Sequence, residues 1–245
     1  MDGGQTRVHH AALAATLPVQ APPLQEFVMI LDTPARVEEQ ARLILQAQDD
    51  GDGDGAHDLA HVGRVVRMAA RIDRELGHPC DPLVLCAAAW LHDLVSLPKS
   101  DPDRARASAR SADEAVAKLR RHGFPEERLA AVHHAILAHS FSAGVPCQTI
   151  EAKVLQDADR MDALGAIGLA RCFYTAGRMD AQLFDPADPL GQHRELDDRA
   201  FALDHLPVKL YRIAETLHTA PARAIAAERV AFLKAFAARI VAEAG

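Results

Sequence analysis

The chain of 245 residues carries a formal net charge of -7, with 49% hydrophobic and only 4% aromatic residues. Such a length can bury a core without disulfide or metal staples, and the apolar share excludes a wholly disordered chain. The acidic balance and scarce aromatics argue against a nucleic-acid polymer as partner, which calls for a broad basic field or stacking platforms; a small phosphorylated molecule needs only a few clustered cations.

Residues 1–32 show no sustained period and read as a flexible N-terminal extension, leaving 33–245 as one domain. Pro18, Pro22 and Pro23 interrupt the apolar pieces of the extension, and no basic cluster precedes them, so it does not read as a signal peptide. Thr33 and Pro34 open a first helix with Val37, Ala41, Ile44 and Leu45 on its apolar stripe. An acidic, glycine-rich loop, Asp49 to Gly55, ends it. A second helix is expected over Asp58 to Leu76, stopped by Gly77-His78-Pro79. Asp81-Pro82 opens a third that ends near Leu94, and its nearly continuous apolarity marks a buried central helix.

Arg104 to Arg121 is amphipathic, with Ala112, Val116 and Leu119 inward, and Pro125 starts a helix running to His139. Glu151 to Asp162 and Ala163 to Tyr174 follow. A loop from Asp185 to Gly191 precedes two closing helices, Asp204 to Leu217 and Pro221 to Glu243. No alternating strand pattern exceeds four residues, so the fold class is all-α. No stretch reaches the ~18 apolar residues of a membrane span. Cys80, Cys86, Cys147 and Cys172 form no C-x-x-C pair, and reduced thiols fit a cytoplasmic protein.

The thirteen histidines are unevenly placed. His57 and His61 stand at the start of the second helix, and His92-Asp93 at the end of the third. His133, His134 and His139 close the fifth, and Asp157 and Asp159 lie on the segment after it. Singly, each has an ordinary explanation as a surface pair, a helix-dipole partner, a core histidine or a cap. Together they fall near helix ends, which a bundle can converge on one point. Imidazole nitrogens with carboxylate oxygens suit Mn, Fe, Co, Ni or Zn, and no thiols lie nearby for a Cys-rich structural zinc site. Asp50-x-Asp52-x-Asp54-Gly55 mimics an EF-hand loop, but its twelfth position is His61 where a bidentate Glu is required. No Walker or Rossmann glycine motif is present.

Four words carry this order: His57-Asp58-Leu59-Ala60-His61-Val62-Gly63-Arg64-Val65, Ala89-Trp90-Leu91-His92-Asp93-Leu94, Ile136-Leu137-Ala138-His139-Ser140, and Leu155-Gln156-Asp157-Ala158-Asp159-Arg160-Met161-Asp162-Ala163-Leu164-Gly165-Ala166. In them the chain resembles the HD-domain superfamily of metal-dependent phosphohydrolases. Over most of Thr33 to Glu243 it is similar to the YedJ-type subfamily.

The resemblance implies an HD-domain helical bundle over 33–245 and a divalent ion (Mn, Co, Ni, Fe, Zn or Mg) held by His61, His92, Asp93 and Asp159. Asp157 is the rival for the last place; in related HD proteins the ligand sits in the middle of the Ala-Asp-Arg-aliphatic word. Asp58 or Asp162 would fix the imidazole tautomers. Arg64, Lys99 and Lys209 are the candidate phosphate contacts. Asp93, His139 and Lys99 are the candidate catalytic groups, with the general base open between Asp93 and His139; His134 is a weaker candidate. The implied reaction is hydrolysis of a small phosphorylated molecule, a nucleotide, by metal-activated water, releasing phosphate or pyrophosphate. Two alternatives stand beside it: an HD-fold di-iron oxygenase recruiting His133, His134 and His139, and a non-catalytic nucleotide-binding HD module.

Overall fold

In the computed structural model, Thr33 is extended and its Oγ1 accepts the Arg36 N–H at 3.4 Å, which starts α1 (Pro34–Gln46). The structure describes residues 30–48, 59–97, 101, 103, 106–140 and 143–244. Most of the expected N-terminal extension, the acidic loop with His57 and Asp58, and Lys99 lie outside these. Leu31 is fully buried and its N–H donates to Gly123 O at 3.3 Å. Packing therefore begins ahead of the first helix, inside the expected extension.

The second helix, α2 (Leu59–Glu75), ends where Gly77 and His78 turn left-handed at φ 84 and 61. The His78 N–H reaches back to Asp73 O, satisfying a carbonyl that the helix leaves open. α3 (Pro82–Leu91) is capped by Asp81, whose carboxylate accepts the Leu83 and Val84 N–H groups. All of its residues except Pro82 and Cys86 are buried. It is the central helix that its apolarity predicts, packed against α1, α2 and α5 (Glu126–His139).

The expected stripe of the next helix shifts by one position. α4 (Ala107–Arg121) buries Ser108, Ser111, Ala112, Ala115 and Leu119, whereas Val116 is only partly covered. Spacings of three and four keep Ala115 on the Ala112–Leu119 line, and the small residues let α4 approach α5 closely. α6 (Ile150–Met161) packs on α2 and α5, and a short turn leads into α7 (Gly165–Arg178).

The expected helix Asp204 to Leu217 is broken into three pieces. A 3-10 turn (Ala202–Asp204), a π turn (Leu206–Leu210) and α8 (Tyr211–Glu215) replace it. Pro207 offers no N–H at the start of the π turn, and the Tyr211 N–H bonds to Leu206 O across the widened turn. The last helix, α9 (Ala220–Ala244), is pinned by Asp157, which accepts the His218 and Thr219 N–H groups and the Thr219 hydroxyl at 2.7–2.8 Å. Among the described residues there is one isolated bridge, Gln182 to Phe201, no strand, and no helix long and apolar enough to cross a membrane.

The α6–α7 corner tolerates no side chain at Gly168, where a Cβ would stand 2.0 Å from Ala163 O. Gly168→Ala is expected to destabilise the protein by roughly 1–3 kcal/mol through this overpacking. Thermal unfolding followed by circular dichroism reads it, and an unchanged midpoint would contradict so close an approach.

Candidate metal centre

Four helices each bring one end to the same place. His61 comes from the first turn of α2, and His92 with Asp93 from the residues just after α3. His139 is the last residue of α5, and Asp159 lies in the last turn of α6. His61, His92 and His139 are buried, while the Asp93 and Asp159 side chains keep 25% and 28% of their surface exposed. The cluster is thus closed by imidazoles and open on its carboxylate side.

Every imidazole has its Nδ1 engaged. His61 Nδ1 donates to Asp162 Oδ2 at 2.9 Å, His92 Nδ1 to Ala89 O at 2.9 Å, and His139 Nδ1 to Ile136 O at 2.6 Å. A carbonyl or ionised carboxylate only accepts, so the proton sits on Nδ1 in all three and the Nε2 lone pairs are left to the cluster. At the ends of α3 and α5 one local device does this: the histidine bonds the carbonyl three residues back.

His61 Nε2 lies 3.4 Å from His92 Nε2, 3.4 Å from Asp159 Oδ1 and 3.7 Å from Asp93 Oδ2. His92 Nε2 is 3.6 Å from Asp93 Oδ2 and 4.0 Å from Asp159 Oδ1. Two ligand atoms at ~2.0–2.2 Å from a common ion stand roughly 3–4 Å apart, depending on the angle between them. The facing Nε2 atoms of His61 and His92 are both acceptors, so neither can satisfy the other without a cation or proton between them. The donor set of His61, His92, Asp93 and Asp159 therefore fits a divalent ion. His139 Nε2 joins through the other oxygen of Asp93, Oδ1, at 3.4 Å. His92, Asp93 and His139 make a second group of converging ligand atoms that shares His92 with the first.

The electrostatics follow from burial set against carboxylates. Burial pulls the His61 pKa down, but Asp159 and Asp162 outweigh it and lift the group to about 9. For His92 burial wins, and its pKa falls despite Asp93. Burial also opposes charge on His139, yet Asp93 raises it. Asp159 and Asp162 are pushed up by burial but held below the ordinary carboxylate range, chiefly by the hydrogen bond to His61 in each case.

The two rival aspartates part company. Asp159 faces the cluster, whereas Asp157 is fully buried on the start of α9. Two residues along a helix turn the side chain by about 200°. Arg64 is paired with Asp162 through Nε at 2.6 Å and Nη2 at 3.0 Å, and Arg171 adds a third contact to the same carboxylate at 2.6 Å. Lys209 is exposed on the π turn. His133 meets Asp113 at 2.9 Å, and His134 Nε2 accepts the Gln148 N–H at 3.0 Å; of the three α5 histidines only His139 reaches the cluster. Arg171 went unrecognised in the sequence, where the only sign of it is a lone cation on an otherwise apolar stretch of α7.

An HD domain model matches residues 58–164. The chain is 34% identical to the uncharacterized protein YpgQ of Bacillus subtilis over 81% of this chain and 89% of that one. A crystal structure of a Bacillus thuringiensis HD-superfamily hydrolase superposes with a TM-score of 0.67 at 27% identity, covering 86% of this chain and 98% of that one. The crystal structure of Bacillus subtilis YpgQ in complex with ADP superposes with a TM-score of 0.64 at 30% identity, covering 84% and 97%.

Asp159→Ala is expected to abolish Mn2+ binding measured by calorimetry. Asp157→Ala should retain it and instead lose roughly 1–3 kcal/mol of stability, because buried donors lose their acceptor. The reverse pattern would exchange the two assignments. A second expectation concerns pH. With the His61 pKa near 9 in the metal-free protein, a proton competes with the ion at lower pH. Ion affinity should accordingly rise with pH up to about 9 and be lost as pH falls; an affinity flat between pH 6 and 9 would contradict the competition.

Proposed function

The chain belongs to the HD-domain family, and on that premise we propose that it is a metal-dependent phosphohydrolase acting on a small phosphorylated substrate of the nucleotide class. One observation carries this reading: the buried His61 and His92 hydrogen-bond through Nδ1 to Asp162 and Ala89 O and present Nε2 to a point beside Asp93 and Asp159, with His139 joining through Asp93. That is the arrangement expected of metal ligands with fixed tautomers.

A divalent ion bound by His61, His92, Asp93 and Asp159 would supply Lewis acidity for a phosphoryl oxygen and lower the pKa of water. Asp162 holds the His61 ring, and Arg64 with Arg171 keeps Asp162 ionised for that task. Asp93 touches both halves of the cluster, with Oδ2 toward His61 and His92 and Oδ1 toward His139. The Asp93 carboxylate favours protonated His139 against the opposition of burial, so His139 Nε2 is suited to donate to the leaving oxygen. Substrate approaches from the carboxylate side, the exposed side of the cluster. Lys99 and Lys209 are our candidates to meet its phosphates; the third candidate, Arg64, is paired with Asp162. The nucleotide class is supported by the ADP complex of the related YpgQ.

Metal-stripped protein should be inactive toward a panel of nucleotides and phosphate monoesters, and adding back one divalent ion should restore turnover. His92→Ala and Asp93→Ala should each lower kcat by more than ~100-fold while leaving the helical circular dichroism intact. Unchanged turnover in both variants, or full activity in chelator, would overturn the assignment. Product analysis distinguishes phosphate from pyrophosphate release.

A further inference from the structure

A cavity of about 530 Å3 lies between α2, the start of α7 and α9, and none of the five clustered residues lines it. Its size is in the range of small-molecule sites, ~300–1,000 Å3. Arg64, Arg67 and Arg71 enter from α2 at spacings of three and four, which put them on one helix face, and Arg229 enters from α9. Two carboxylates, Asp162 and Glu228, stand against these four guanidinium groups. Asp162 is already engaged by His61, Arg64 and Arg171. In a chain of net charge -7, this is a local excess of positive charge.

The guanidinium groups are differently committed. Arg67 is exposed and makes no ion pair with a described residue, and the ion pair of Arg71 is an exposed one with Glu75 at 2.7 Å. Arg229 is partly buried, and its hydrogen bond goes to a neutral acceptor, Met161 O. Its aliphatic stem rests on Gly165, where φ is 72 and a Cβ would stand 3.1 Å from Arg229 Cγ. The glycine thus lets the arginine lie against the α6–α7 corner. Burial lowers the Arg229 pKa, Asp162 partly opposes this and Arg71 adds to it, and the net lowering is a cost that a bound anion relieves. The lining also has an apolar part, with Met68, Ile167 and Phe232, the last two 45% and 46% exposed.

We propose that this cavity is a second ligand site, separate from the metal centre, that takes a nucleoside polyphosphate. Its phosphates would meet Arg67, Arg71 and Arg229, and its base would cover Ile167 and Phe232. Guanidinium groups pair with phosphate oxygens in bidentate fashion, and a planar ring removes the exposed apolar wall from water. The site owes nothing to the ion, so its ligand binds with the metal centre disabled.

The test is calorimetric titration of GDP, and separately of inorganic tripolyphosphate, into the full chain in chelator. Wild type and His92→Ala should bind GDP alike, at one site per chain. Arg67→Glu/Arg71→Glu should bind it at least tenfold more weakly while retaining metal-dependent turnover. The neutral pair Arg67→Gln/Arg71→Gln gives the same reading if charge reversal disturbs folding. Phe232→Ala should weaken GDP binding and leave tripolyphosphate unaffected. Wild-type affinity in both arginine pairs, or loss of binding in His92→Ala, would overturn the proposal. Tripolyphosphate binding as tightly as GDP would overturn its assignment to a nucleoside. The binding outcomes are independent of whether the metal centre hydrolyses phosphate.

Discussion

Three buried imidazoles cannot share a small volume unless each knows which nitrogen carries its proton. Here Asp162, Ala89 O and Ile136 O accept hydrogen bonds from Nδ1 of His61, His92 and His139, which leaves the Nε2 atoms to two converging groups that share His92. The cost of burying these groups is offset only if something positive sits among them. The rest of the architecture can be understood as meeting that condition.

The helices meet it with their ends. α3 is apolar nearly throughout, so its first polar groups, His92 and Asp93, emerge where the helix stops and its carbonyls are free to accept. α5 ends in the same way at His139. α6 divides its acids between two tasks: Asp157 gathers the backbone at the start of α9, and Asp159 turns to the cluster. A helix two residues on has swung to its far side, so neighbouring acids face α9 and the cluster without competing.

Asp162 links the cluster to the molecule's other basic region. It holds His61 on one side and takes Arg64 and Arg171 on the other, and it stays ionised although buried because three donors surround it. Arg64 also lines the cavity behind it. The histidine–aspartate cluster and the arginine-lined cavity are therefore neighbours through one carboxylate, while their open faces belong to different residues.

The helices could be read from the chain with small shifts, because their signals are local: Thr33 and Asp81 as caps, Gly77 as a stop, apolar spacing in α1 and the continuous apolarity of α3. The departures came where local signals compete, at Pro207, whose missing N–H widens one helix into a π turn, and at Ala115, which takes the inward place expected of Val116. The order of the histidine and aspartate words was equally legible, and it was enough to gather His61, His92, Asp93 and Asp159 into one expectation. Which residue types stand at which helix ends was thus legible in the chain, since that depends on neighbours three or four positions away. Their partners emerged only in the fold. Arg64 turned to Asp162, Arg171 arrived unannounced from α7, and Asp157 went to α9, because hydrogen bonds between residues tens of positions apart are set by how helices pack.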